Sequence, residues 1–300
     1  MSGTRIVGDW GSSRLRLWRL RDGAPAERRE GAGIALLKRP ASEELGELVK
    51  PWLGADGPSR MTLCGMAGAR NGLREAPYVE CPARIGDWIG HSATAELQAI
   101  PLRIAAGLAW RSERGVANVM RGEETQLFGA MALDPRRAQG RHLIVLPGTH
   151  SKWVWCEDGR ILAFRTFITG ELYALLCRSS LLVAGGAQAD VADESGFILG
   201  LDRAREGSGL LGDLFEARTA QLQDGRSGGW AKRFLSGLVL GYELRAMAQD
   251  GKLPDELIAI GDPALTGRYE RAFASYDAAV ERVDGDECVL AGLELLDAHD

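Results

Sequence analysis

Apolar positions change period several times along the chain. Residues 4–9 read as a short strand that stops at Gly11-Ser12-Ser13, and residues 14–20 alternate as its returning partner, which predicts a hairpin with a polar turn. From Pro40 the period lengthens: Leu45, Leu48, Val49, Trp52 and Leu53 fall at i, i+3, i+4, i+7 and i+8 behind a Ser42 cap. That spacing predicts an amphipathic helix. Residues 60–64 form a brief apolar strand that ends in Gly65-Met66-Ala67-Gly68. Residues 115–120 form another, followed by Gly122 and a helical stretch containing Leu127, Phe128 and Met131.

A second cycle begins at residues 142–146, an apolar strand ending at Pro147-Gly148-Thr149-His150-Ser151. Residues 152–156 and 160–167 flank Glu157-Asp158-Gly159, and an Asp-Gly pair between two such runs is a strong hairpin signal. Helices follow over 195–204 and 230–247, then a strand over 257–260 and a last helix over 289–296. No low-complexity linker separates the halves. The repeated strand, small-residue turn and returning strand predict a duplicated α/β architecture, with lobes over 1–135 and 136–300 and a cleft between them.

Composition removes several classes of function. The 300 residues are 45% hydrophobic, enough for two lobes of ordinary size, and a net charge of -5 gives no basic field for a phosphate backbone. Nucleic-acid partners are excluded on that ground. Cys64, Cys81, Cys156, Cys177 and Cys288 are odd in number and widely spaced, which reads as free thiols in a reducing compartment. No run approaches the roughly 18 apolar residues of a membrane span, and the chain enters its first strand without a basic and apolar leader, so a soluble, cytoplasmic protein is expected.

Four segments carry candidate chemistry. In Gly8-Asp9-Trp10-Gly11-Ser12-Ser13-Arg14, a carboxylate at a strand end can hold a hydrated divalent cation, while the hydroxyls and turn N–H groups can face phosphate oxygens. The same residues also suit a plain hairpin turn in which Asp9 and Ser12 satisfy only the backbone. Leu146-Pro147-Gly148-Thr149-His150-Ser151-Lys152 repeats the strand-turn-strand logic in the other half. Arg121-Gly122-Glu123-Glu124-Thr125-Gln126 lies at a strand-to-helix junction, where acidic residues also serve as ordinary first-turn caps. Ala259-Ile260-Gly261-Asp262 is a strand running into a glycine turn, against which an adenine ring can lie.

Taken in order, these segments resemble a known superfamily. Asp9-x-Gly11-Ser12-Ser13 resembles the first phosphate motif of the sugar kinase, heat-shock protein and actin superfamily, Gly148-Thr149 its second, and Gly261-Asp262 its adenosine motif. Cys64 to Gly72, Glu75-Ala76-Pro77-Tyr78-Val79, Arg121 to Gln126, Pro147 to Trp153 and Phe164 to Leu172 look more specifically like the 2-dehydro-3-deoxygalactonokinase family, over nearly the whole chain. There are two departures. Leu146 stands where the superfamily often has Asp, so magnesium would rest mainly on Asp9, and Leu73 stands where the family frequently has an aromatic residue.

The resemblance implies a two-lobed actin-like ATPase fold, of the duplicated ribonuclease H-like kind, with ATP and Mg2+ in the interlobe cleft. It also implies transfer of the ATP γ-phosphate to the 6-hydroxyl of 2-dehydro-3-deoxy-D-galactonate, in galactonate breakdown. Asp9, Gly11, Ser12, Ser13, Gly148, Thr149, His150, Ser151, Lys152, Gly261 and Asp262 then belong to the nucleotide side, with Asp9 on the metal. Gly68, Arg70, Asn71, Tyr78, Arg121, Arg165 and Thr166 belong to the sugar-acid side, where a guanidinium can pair with the carboxylate. Glu124 is the first choice to accept the hydroxyl proton, with Glu123 beside it. The competing readings are a kinase for another sugar or sugar acid, an exopolyphosphatase-like phosphatase of the same superfamily, and a nucleotide-binding regulator or filament protein. A homo-oligomer is compatible with the sequence.

Overall fold

The structure is a computed structural model, and it describes residues 3–54, 57–183, 194–207, 209–249 and 253–298. Its strands are β1 (Thr4–Trp10), β2 (Arg14–Arg21), β3 (Ala24–Ala32), β4 (Met61–Gly65), β5 (Tyr78–Glu80), β6 (Ala83–Arg84), β7 (Ala93–Leu97), β8 (Ile100–Ile104), β9 (Gly107–Arg111), β10 (Ala117–Met120), β11 (Arg141–Leu146), β12 (Ser151–Glu157), β13 (Arg160–Phe167), β14 (Glu256–Gly261) and β15 (Ala279–Asp284). They form a six-stranded sheet in the order β3-β2-β1-β4-β8-β7, a three-stranded sheet β10-β9-β5, and a six-stranded sheet β15-β14-β11-β12-β13-β6. The helices are α1 (Ala41–Val49), α2 (Ile85–Gly90), α3 (Glu123–Leu133), α4 (Thr169–Ser179), α5 (Ser195–Glu206), α6 (Leu210–Leu214), α7 (Glu216–Gln223), α8 (Gly228–Gln249), α9 (Pro263–Phe273) and α10 (Gly285–Asp297).

The residues separate into two compact units: 1–144 with 154–165 and 283–300, and 145–153 with 166–282. The expected lobes, 1–135 and 136–300, follow chain order, and these units do not. The outer part of the β12–β13 hairpin and the last helix belong to the first unit.

In the first unit β1 pairs antiparallel with β2 and parallel with β4, so the middle strand has neighbours of both kinds. Its core contains Ile6, Trp10, Leu15, Leu17, Leu45, Trp52, Leu63 and Ile104. The predicted helix forms over Ala41–Val49, but its N-cap is Pro40 and no side chain caps it. Ser42 therefore sits one residue inside the helix, because Pro40 already takes the extended cap position. Pro51, lacking an N–H, then tightens the chain into a 3-10 turn that buries Trp52. Helix α3 lies against α10 closely enough that a Cβ at Gly129 would overlap the Cys288 carbonyl oxygen.

In the second unit α8 is buried nearly all round, with Phe234, Leu235, Leu238 and Trp230 packed among residues of α5 and α7. Of the five cysteines, none is in a disulfide; Cys64, Cys156 and Cys288 are buried. Among the described residues no helix is long and apolar enough to cross a membrane.

Candidate active site

Pairing within the first sheet sets the surroundings of Asp9. It stands opposite Arg16 on β2 and opposite Cys64 on β4. Arg16 binds Asp9 Oδ2 and also Asp286 in the first turn of α10, while Cys64 Sγ donates to Asp9 Oδ1 at 3.6 Å. Burial works against the Arg16 charge, but the Asp9 and Asp286 carboxylates outweigh it and raise the Arg16 pKa. Two glycines bring backbone close to Oδ1. A Cβ at Gly65 would stand 3.1 Å from Asp9 Oδ1, and one at Gly122 would stand 3.7 Å from it. Both glycines have positive φ, +72° and +112°, which other residues rarely adopt. The ends of β1 and β4 and the start of α3 thus converge on one carboxylate oxygen, which also accepts from Cys64, and a carboxylate at such a junction can hold a hydrated cation.

The Gly11-Ser12-Ser13 turn is closed by the backbone that follows β3. Ile34 and Ala35 donate to the Gly11 and Ser12 carbonyls at 3.1 and 3.0 Å, and a Cβ at Gly33 would overlap the Ser12 carbonyl oxygen. Ser12 is half-buried and Ser13 exposed. Gly33 is therefore part of the closure of this turn. The only sequence signal for it was the Gly31-Ala32-Gly33 pair of glycines after a charged strand.

Helix α3 begins at Glu123, and the two acidic residues separate as helical geometry requires. Glu124 is fully buried, and both its carboxylate oxygens accept from the Gly122 N–H at 2.8 Å. Glu123 is half-buried and accepts from the Arg121 N–H at 3.1 Å. A position in a first helical turn would be expected to hold Glu124 acidic. Burial, with the Glu123 charge adding to it, instead pushes its pKa up to about 8. The same burial, with Asp9 and then Glu124 contributing, raises the Cys64 thiol well above its ordinary value.

Three of the expected sugar-side residues come together. The Arg121 guanidinium stacks on the Tyr78 ring, 4.2 Å from its centroid, and donates to the Ala76 carbonyl at 2.8 Å. Its Nη1 is buried without a hydrogen-bond partner, and a Cβ at Gly68 would stand 2.7 Å from that nitrogen. A buried, partnerless guanidinium nitrogen is a good receptor for a carboxylate. The Arg70 side chain is 91% exposed and pairs with Glu75. Asn71 is exposed, and Leu73 packs against the core. Arg165 is half-buried on β13.

In the second unit Thr149 and His150 are exposed on the Pro147-Gly148 turn. His150 Nε2 lies 2.6 Å from Glu171 Oε2, and the Glu171 N–H donates to the Thr149 carbonyl at 2.8 Å. Ser151 and Lys152 turn inward, unlike the expected phosphate contacts. They open β12, whose first four residues are buried, and Ser151 Oγ donates to Glu243 at 2.7 Å and Lys152 Nζ to Thr166 Oγ1 at 3.2 Å. That bond also places Thr166 beside Lys152, at the end of β13. Gly261 ends β14, and a Cβ there would stand 3.6 Å from the Pro147 carbonyl. The Asp262 carboxylate caps α9 by accepting from the Ala264 and Leu265 N–H groups. A mostly apolar recess beside the turn is lined by Pro147, Gly148, Gly170, Tyr173, Leu265 and Arg268. Glu243 was not found from sequence, although a lone carboxylate within Leu238-Val239-Leu240-Gly241-Tyr242-Glu243-Leu244 was a usable signal.

Comparison with known proteins gives the family. A protein named "Probable 2-dehydro-3-deoxygalactonokinase DgoK1" from Rhizobium meliloti (strain 1021) is 38% identical over 95% of this chain and 94% of its own. The 2-dehydro-3-deoxygalactonokinase of Escherichia coli (strain K12) is 36% identical over 100% of this chain and 99% of its own. A crystal structure from Sinorhizobium meliloti, assigned to the same kinase type, superposes with a TM-score of 0.86 at 35% identity, covering 98% of this chain and 95% of that one. More distant structures, at 11% and 13% identity with TM-scores of 0.51 and 0.53, are similar in fold alone. The family model described as 2-keto-3-deoxy-galactonokinase matches residues 9–296, and the chain belongs to that family.

Proposed function

We propose that the protein transfers the γ-phosphate of Mg-ATP to the 6-hydroxyl of 2-dehydro-3-deoxy-D-galactonate, as a cytoplasmic enzyme of galactonate catabolism. The observation that carries this reading is the convergence of Gly65 and Gly122 on Asp9 Oδ1, with the Gly122 N–H bound to Glu124, on a chain of this family. Phosphoryl transfer asks a protein chiefly for positioning and charge neutralisation, which these groups supply. Magnesium, when bound, would neutralise phosphate charge, and Asp9 would hold it with the oxygen that Arg16 leaves free.

The chain's own residues do the rest. The N–H groups of the Gly11-Ser12-Ser13 and Gly148-Thr149 turns bind phosphate oxygens, and the recess beside Gly148 takes the nucleoside. Arg121 pairs with the sugar-acid carboxylate through Nη1, while the Tyr78 ring and the Ala76 carbonyl fix the guanidinium plane. Glu124 accepts the proton of the attacking hydroxyl. With its pKa raised to about 8, Glu124 acts through its deprotonated fraction, which grows as pH rises toward 8.

The test is a coupled assay for ADP release with Mg-ATP and a panel of acceptors: the 2-dehydro-3-deoxy acids of both C4 configurations, galactonate, galactose and glucose. The galacto-configured 2-dehydro-3-deoxy acid is expected to lead the panel. Comparable efficiency with neutral hexoses would reject the assignment.

A further inference from the structure

We propose that Glu243 is a positioning residue for nucleotide binding, holding the second phosphate turn in shape from inside the second unit. This rests on the reading that Gly148-Thr149 takes nucleotide phosphate. Glu243 lies on α8 with 2% of its surface exposed, yet it takes no part in that helix's apolar packing role. Its Oε2 accepts from Ser151 Oγ at 2.7 Å and from Thr169 Oγ1, and its Oε1 accepts from Trp153 Nε1 at 2.7 Å and Tyr269 OH at 2.8 Å. One carboxylate thus gathers donors from β12, α4 and α9.

Those donors bracket the turn. Ser151 and Trp153 begin the strand that leaves it, and Thr169 is the first residue of α4. The next residue, Gly170, lies so close to the turn that a Cβ would overlap the Gly148 carbonyl oxygen. The residue after that donates its N–H to the Thr149 carbonyl at 2.8 Å. Thr169 and Tyr269 also line the recess beside Gly148. Fixing Glu243 therefore fixes both backbone segments that frame the Gly148-Thr149 N–H groups. A buried carboxylate is costly, and an apolar side chain would pack α8 without that cost, so the four donors point to a geometric role.

Glu243→Gln makes the point chemically. The Trp153 indole can only donate, so the glutamine oxygen must remain on that side and its NH2 must face Ser151 and Thr169. Both hydroxyls then have to turn round and accept, which releases the turn from its present arrangement.

The experiment is calorimetric titration of the purified full chain with ADP in the absence of any sugar, joined to steady-state kinetics. In Glu243→Gln, ADP affinity should fall about tenfold or more while KM for the sugar acid stays within about twofold. Thr169→Val should weaken ADP by a smaller factor, and Thr169→Ser, which keeps the hydroxyl, should restore it. If folded Glu243→Gln binds ADP as the parent does, Glu243 serves only stability and the proposal is overturned. Should that variant fail to fold, equal ADP affinity in Thr169→Val and Thr169→Ser overturns it just as well. A parent enzyme that binds ADP but ignores every sugar acid would sink the substrate assignment and leave this comparison standing. No ADP binding by the parent would sink both.

Discussion

The Gly122 N–H donates to both carboxylate oxygens of Glu124, at 2.8 Å each, and a Cβ on that same glycine would stand 3.7 Å from Asp9 Oδ1. One backbone position thus joins the residue expected to hold the metal to the residue expected to take the proton.

Glu124 gives the first prediction, on pH. Its pKa is raised from 4.5 to about 8, so the folded state keeps the proton over a range in which the unfolded chain loses it. Its contribution to stability is fully present below about pH 4.5 and is lost as pH rises through about 8. Glu124→Gln removes that loss, so the variant should gain stability relative to the parent between pH 5 and pH 8.5, by at most about 5 kcal/mol. Urea unfolding of both proteins at the two pH values checks this. A constant difference would show that Glu124 titrates normally in the folded state.

The same substitution should lower kcat by about 10²-fold or more with little change in either KM. Glu123→Gln, whose carboxylate is half-buried and caps the Arg121 N–H, should keep most of its activity. The reverse result would move the proton acceptor to Glu123.

Asp9→Asn should leave the fold intact and cut turnover by about 10²-fold or more, with a higher magnesium concentration needed for half activity. Arg16 retains Asp286 as a partner in the variant, so thermal unfolding should shift little. Unchanged turnover at ordinary magnesium would remove Asp9 from the metal.

Arg121→Met keeps much of the packing on Tyr78 and deletes the partnerless Nη1. Losing one charge-assisted contact of about 1.5–3 kcal/mol predicts a KM for the sugar acid raised by about tenfold or more, with KM for ATP unchanged. If KM for the acid does not move, another cation receives the carboxylate.

Much of this was readable in the chain. Both turns expected to meet phosphate follow from apolar strands broken by small polar residues, and the Asp158-Gly159 pair does sit at positive φ, +47° and +71°, as a tight hairpin needs. The identical signal at Asp22-Gly23 went unread, because β3 beyond it carries Glu27-Arg28-Arg29-Glu30 and does not alternate. Convergence was harder to see. That Gly33 seals the first turn, that Gly65 and Gly122 approach Asp9, and that Glu243 binds Ser151 and Thr169 are all contacts between residues distant in sequence, for which no local period exists. At Ser151 and Lys152 the motif position gave no sign that the strand would bury both side chains, which bind Glu243 and Thr166.

Phosphorus NMR of the completed reaction tests the central claim most directly. Incubation of the protein with Mg-ATP and 2-dehydro-3-deoxy-D-galactonate should convert the γ-phosphate signal into one phosphomonoester, coupled to the C6 protons and equal in amount to the ADP formed. Inorganic phosphate in place of that ester, formed whether or not the sugar acid is present, would contradict the kinase account and make the protein a phosphatase.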